Sequence, residues 1–180
     1  VEYGDSYDDM GVPTDAQAAD PQNRNLSKRH FHMQAKDKLG WLPDDRWTDV
    51  TESGSYRVHR FDQEALAGRA ALRINKRGAD YYWLGYRQQF EPLEPDDLGA
   101  ERPDDDGLYI IWEREEFDRS FLLDMTPGSK IRYSDDLDDA VLRVGRTFSD
   151  EDAGVHITPV ARGGEVPDQW IDVVVNLGTF

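Results

Sequence analysis

Cysteine is absent from the chain. Disulfides, thiol nucleophiles and thiolate metal sites are therefore excluded, although the compartment is not decided. Positive charge is scarce: 21 Lys and Arg stand against 37 Asp and Glu, a formal net charge of −16 and a pI near 4.5. That balance argues against nucleic acid and anionic membrane surfaces, which call for basic patches. It suits divalent cations, basic partners or a salty milieu. No run reaches the roughly 18 apolar residues of a membrane-spanning helix. Histidine is limited to His30, His32, His59 and His156, and no His-Glu-x-x-His pair occurs. A Gly-x-Ser-x-Gly elbow and a Gly-rich phosphate loop are missing too. The acidic N-terminus shows no charged-then-apolar leader, so a secreted protein would have carried its targeting segment upstream.

What remains is enough for a core. With 180 residues, 38% of them hydrophobic and 11% aromatic, the chain suits one domain, or one domain plus a remnant of another. Residues 1–24 are rich in Gly, Pro, Asp and Asn and read as loop. In "NLSKRHFHMQAKDKLGWLP", Phe31, Ala35 and Leu39 recur at helical spacing. Asn25 or Ser27 can cap the start, Gly40 can stop the end and Pro43 follows, which predicts a helix over 27–39. Beyond Trp41 the chain alternates short β-branched and aromatic runs with turn clusters: "SYRVHRF", "AALRINK", "YYWLGYRQQF", "LYIIWE", "SFLLDM", "AVLRVG", "VHITPV" and "WIDVVVNL". The expected class is mainly β, an antiparallel β-sandwich of jelly-roll-like type preceded by a loop and one α-helix. Tyr82, Leu84 and Tyr86 alternate with Tyr81, Trp83, Gly85 and Arg87, so rings fall on both faces. That pattern predicts a central strand covered on each side. Ile171, Val173 and Val175 would share a face, and "EPLEPDDLGAERPDDDG" reads as a solvated loop.

Taken in order, several stretches resemble a family. "EYGDSYDDMG", followed by a helix ending in "KDKLGWL", is similar to the region after the zinc helix in secreted zinc metallopeptidases of the gametolysin and immune inhibitor A type. "YYWLGYRQ" resembles that family's Tyr-Tyr-Trp-Leu-Glu-Tyr-Arg strand, "FLLDMTPG" its Leu-Leu-Asp-x-x-Pro segment and "VGRTFSDEDAGVHI" its Gly-x-x-Phe-x-Asp hairpin. The resemblance covers essentially the whole chain. It implies that residues 1–42 are the tail of a catalytic domain and 43–180 a C-terminal β-sandwich. It places Met10 and Gly11 in the Met-turn, where a polarizable side chain forms an apolar floor beneath the metal site. It implies zinc in an intact parent enzyme, an upstream catalytic domain and a protein or peptide substrate as partners, and secretion. The departure is the zinc site itself, two histidines one helical turn apart with a Glu to activate water, which this chain lacks. The expectation is a region that is not catalytic on its own, sited just after the zinc helix.

Other chemistry competes less well. His30 and His32 would project about 200° apart on a helix, so a solvated helix surface explains them better than a shared zinc. His59 and His156 stand alone in strand contexts. Close carboxylates occur at 5–9, 134–139 and 149–154, but none fits an EF-hand and solvated loops explain them more simply. If calcium binds, Asp150 and Asp152 beside Gly154 are the choice. Glu113, Glu115 and Glu116 read as alternating strand charge. The alternative to a peptidase region is a stand-alone β-sandwich that binds carbohydrate or protein, which exposed coplanar aromatics would favour.

Overall fold

The computed structural model describes residues 31–62, 68–87, 107–116, 120–128, 140–165 and 167–178. Met10 and Gly11, His30, the acidic runs at 5–9 and 134–139 and most of the insertion after β4 lie outside the described residues. A short helix, α1 (Met33–Lys38), leads through a 3-10 turn (Asp44–Arg46) into strands β1 (Trp47–Asp49), β2 (Gly54–His59), β3 (Ala71–Arg77), β4 (Asp80–Arg87) and β5 (Gly107–Glu113). Then come β6 (Ser120–Leu122), β7 (Phe148–Asp150), β8 (Val155–Gly163) and β9 (Trp170–Leu177). They form two sheets, ordered β1-β3-β4-β5-β6 and β2-β9-β8-β7.

The mainly β class read from the sequence is what the chain adopts. Among the described strands, pairing is antiparallel except between β1 and β3, which run parallel; a single parallel bridge, Arg60 to Tyr86, lies outside the strands. The exception follows from connectivity: between β1 and β3 the chain visits the other sheet as β2, and that excursion lets it return in the same direction. "AVLRVG" is not a strand. Ala140, Val141 and Leu142 are buried, yet only Leu142 pairs, exchanging both backbone hydrogen bonds with Leu108 before the chain turns over Gly145 at φ +82. The three-residue strands β1 and β7 are too short to show a period in the sequence.

Between the sheets, Leu72, Ile74, Tyr82, Leu84, Tyr86, Leu108 and Ile110 meet Val155, Ile157, Ile171, Val173 and Val175. Each fully buried aliphatic chain contributes about 1.5–3 kcal/mol. A second cluster lies on the opposite face of β4 and β5, where Ala71, Trp83, Tyr109 and Ile111 pack with Met33, Leu42, Phe61, Ala70 and Val141. β4 is thus the central strand of its sheet and is covered on both faces, as its two-sided rings indicated.

The cover over the second face is α1 and the segment after it. The helix begins later than its sequence suggested: His32 is the N-cap, with extended φ −68 and ψ 166, and its Nδ1 accepts the Ala35 N–H at 3.2 Å. Residues 27–30 lie outside the described residues. At the other end Gly40 is the predicted stop, at φ +69, with Trp41 N bonded to Lys36 O and Gly40 N to Asp37 O in a Schellman closure. The inward face is not the Phe31–Ala35–Leu39 spacing that signalled a helix. Met33, Gln34 and Lys36 are buried instead, while Leu39 and Trp41 are 49% and 58% exposed.

Gly107 shows how tightly the bridge at Leu142 is set. A Cβ there would sit 2.8 Å from the Leu142 carbonyl oxygen and 2.9 Å from the Val141 side chain. Gly107→Ala should therefore destabilise the fold by about 1–3 kcal/mol, read from urea unfolding midpoints at unchanged m-value. A neutral outcome would mean that the bridge can shift.

Candidate functional site

The residues with chemical potential gather along the helix-covered face and at one inter-sheet clamp. On the covered face, Glu113 at the end of β5 accepts from Trp83 Nε1 at 2.7 Å and from Gln34 Nε2 at 3.0 Å, with Lys38 at 3.7 Å. It is a tie between helix and sheet rather than simple strand charge. His32 has a fixed tautomer. Because Nδ1 accepts the cap N–H, Nε2 carries the proton and donates to Ser120 Oγ at 2.8 Å. In that form the ring cannot take a proton from Ser120, so the pair is structural. His32 therefore caps the helix and does not sit on its solvated surface.

Lys36 is the unusual group. Its ammonium is buried, donates to the Phe61 carbonyl and lies 5.5 Å from the Phe61 ring centre. Burial lowers its pKa to about 8; Asp62 pulls it up, and Arg87 and Arg46 push it further down. On the same face, toward β1, Arg73 stacks against Trp47 at 4.4 Å and Tyr81 at 4.5 Å while forking onto both oxygens of Asp49. The aromatic cluster there is filled by the chain's own guanidinium.

Asp150 ends β7 at the place the sequence indicated, before the turn that Gly154 closes at φ +62. Its Oδ2 is taken by the Lys76 ammonium and the Tyr82 hydroxyl, the latter at 2.7 Å, and its Oδ1 accepts the Ala153 N–H at 3.1 Å. Burial opposes its charge, but these donors prevail and hold the pKa at about 2. Burial, then the bond to Asp150, drives the Tyr82 phenol well above its ordinary range. Asp152 is exposed on the turn and does not join it. The arrangement does not fit calcium: the carboxylate is spent on three donors, and an ammonium stands where the cation would go. Among the described residues no group of three or more His, Cys, Asp or Glu is arranged to hold a metal ion.

His59 and His156 lie in strands β2 and β8, and His156 Nδ1 is 3.0 Å from Ser149 Oγ. The rings offered as a platform are mostly core, with Tyr82, Trp83 and Tyr86 at 3%, 1% and 1% exposure. Gly85 stands where the resembling family has Glu. Here even a Cβ would meet Met33 Cε at 2.5 Å and Phe61 at 3.0 Å, so the seat of the helix depends on that departure. Arg60 and Asp62 lie two residues apart, but the pair's link to Gln169 joins residues distant along the chain and gave no sequence signal. Compared with protein-family models, curated proteins and solved structures, the chain matches none of them.

Two pH profiles separate the clamps. The Asp150 pKa is depressed, so its stabilisation is present above pH 4 and lost as pH falls through about 2. Asp150→Asn should flatten stability across that window, removing about 1–2 kcal/mol after allowance for solvent screening at the turn. The Lys36 pKa is lowered in the fold, so the unfolded chain binds more protons between pH 8 and 10.5 and stability rises with pH there. Lys36→Met should abolish that rise, roughly 2–3 kcal/mol in all. Urea unfolding at stepped pH reads both.

Proposed function

We propose that the chain is the non-catalytic C-terminal region of a secreted zinc-dependent endopeptidase, its β-sandwich supporting the catalytic domain or binding the substrate. The observation that carries this reading is the way residues 31–47 attach. Their inner side is locked to the sheet through Met33, Gln34, Leu42 and Glu113. Their outer side presents Leu39 and Trp41 to solvent, with the Phe31 ring edge-on to Trp41 at 5.3 Å. An apolar ridge on a firmly seated segment suits a brace against a neighbouring domain. In this reading the zinc ligands belong to the parent's catalytic domain, and the Met-turn role of Met10 and Gly11 falls outside the described residues.

A free-standing carbohydrate-binding module has less support. Flat exposed rings would serve it, but Trp83 and Tyr86 are core, Trp47 and Tyr81 lie against Arg73, and Trp170 lies 3.6 Å from the Arg57 guanidinium.

The test compares this chain with one extended by the sequence encoded upstream of Val1, measuring metal content and casein cleavage. The extended protein should hold about one zinc and cleave casein, while this chain does neither. In the extended protein, Trp41→Ser should loosen the two parts and lower thermal stability. If neither form holds zinc, the peptidase reading fails.

A further inference from the structure

The two sheets end in four outer strands, β1 and β6 in one and β2 and β7 in the other. An outer strand carries a row of backbone N–H and C=O groups without a ladder partner, a template for another extended chain. Three of the four are blunted by their length, since β1, β6 and β7 are each three residues long. β2 is six residues long and pairs with β9 from Gly54 to His59 without a register shift. No Pro or Lys occurs within 51–62. The shortness, bulge, proline or lysine that commonly protects an edge is therefore missing from this one.

The end of the strand shows which backbone groups are open. His59 N donates to Arg69 O, away from β9, whereas Arg60 N donates to Gln169 O, on the β9 side. Alternation along an antiparallel strand then turns the N–H and C=O of Ser55 and Arg57 away from β9. Both residues are exposed, and among the described residues no backbone group pairs with theirs on that side.

The only Arg, Lys, Asp or Glu of β2 does not guard the edge. Arg57 forks onto both oxygens of Asp172 in β9, at 2.8 and 2.9 Å, and lies 3.6 Å from the centre of the Trp170 ring. Its charge is neutralised and held along the sheet, toward β9. On the core side, Arg69 bonds Thr48 Oγ1 of β1 at 2.8 Å and stands 5.9 Å from the Tyr56 ring, so the gap between the sheets is roofed there.

We propose that the β2 edge binds an extended, basic, proline-free peptide segment as an added antiparallel strand. Ser55 and Arg57 each offer one donor and one acceptor at two-residue spacing, and an extended main chain is the ligand that matches that row. A β-branched residue opposite Tyr56 packs on its ring and on the Arg69 stem. Small polar residues suit the positions opposite Ser55 and Arg57, on the outer face. The net charge of −16 attracts a basic segment and sets two copies of this chain against each other. The inference is independent of the peptidase reading, since every backbone group it uses belongs to β2.

The probe is the synthetic peptide acetyl-Lys-Lys-Thr-Val-Thr-Val-Thr-Lys-Lys-amide, added to isotope-labelled chain and followed by amide hydrogen exchange in NMR. The Ser55 and Arg57 amides should exchange quickly in the free chain and about tenfold or more slowly at saturating peptide. The Tyr56 and Val58 amides, already turned to β9, should change little. Methylating the Thr nitrogens, which face β2 when Val lies opposite Tyr56, should weaken binding about tenfold or more. Methylating the Val nitrogens, which face away, should leave it unchanged. Ser55 and Arg57 amides that exchange as quickly with peptide as without it overturn the proposal. Equal weakening by the two methylated peptides does so too, because binding then runs through side chains. Protection of the same amides that grows with chain concentration, without peptide, assigns the edge to a second copy and overturns it as well.

Discussion

The two sheets are joined through one buried guanidinium. Arg60 is fully buried and donates to both oxygens of Asp62 and to the Gln169 side chain. Its position explains why it is there. Arg60 N donates to Gln169 O beside β9, and the next residue, Phe61, donates to Tyr86 O in β4. Within two residues the chain leaves one sheet and joins the other. Both backbone N–H groups keep a carbonyl partner across this step, and the Arg60 side chain ties the same step to the side chains of Asp62 and Gln169. Removing either member of such a pair leaves an uncompensated buried charge, at about 3–5 kcal/mol. The Lys76–Tyr82–Asp150 group repeats the device elsewhere, tying β3 and β4 to the end of β7.

With the sheets joined, the five-stranded one still has a second apolar face. Trp83, Tyr109 and Ile111 project away from the inter-sheet core and are buried all the same. A strand apolar on both faces requires two covers. The second is α1 with Leu42, and it fits because Gly85 leaves space for the Met33 side chain. The cover is not purely apolar. Gln34, Lys36 and Lys38 reach inward to Glu113 and the Phe61 carbonyl, so part of its attachment is electrostatic and depends on solvent and pH. That mixture distinguishes it from the sandwich core, where aliphatic side chains do almost all the packing.

What the sequence disclosed follows from the same physics. Alternation is a local property, so β4 and β9 could be read with their faces, and the Gly40 stop could be read from a residue that tolerates positive φ. The inward face of α1 could not. It is set by a notch at Gly85, more than forty positions along the chain, and not by the helix's own apolar spacing. "AVLRVG" misled for a related reason: burial on both sides of a single bridge produces an apolar run without a ladder. The clamps escaped notice because the links that join the sheets, Arg60 to Gln169 and Lys76 and Tyr82 to Asp150, connect residues far apart. Asp150 was noticed, but as a loop carboxylate of the kind calcium uses, since nothing nearby in the chain discloses that Lys76 reaches it.

The segments that carried the family resemblance can now be weighed by what they do in this fold. In "VGRTFSDEDAGVHI", Gly145 turns at positive φ, Phe148 meets the Tyr82 ring edge-on at 5.4 Å and Asp150 closes the inter-sheet clamp. In "YYWLGYRQ", Tyr82, Leu84 and Tyr86 are sandwich core and Trp83 anchors Glu113. Each of these named positions has an architectural duty. A likeness made of such residues speaks to how a chain packs more than to what it catalyses. What these residues build is a rigid sandwich and a covered face with an apolar outer ridge.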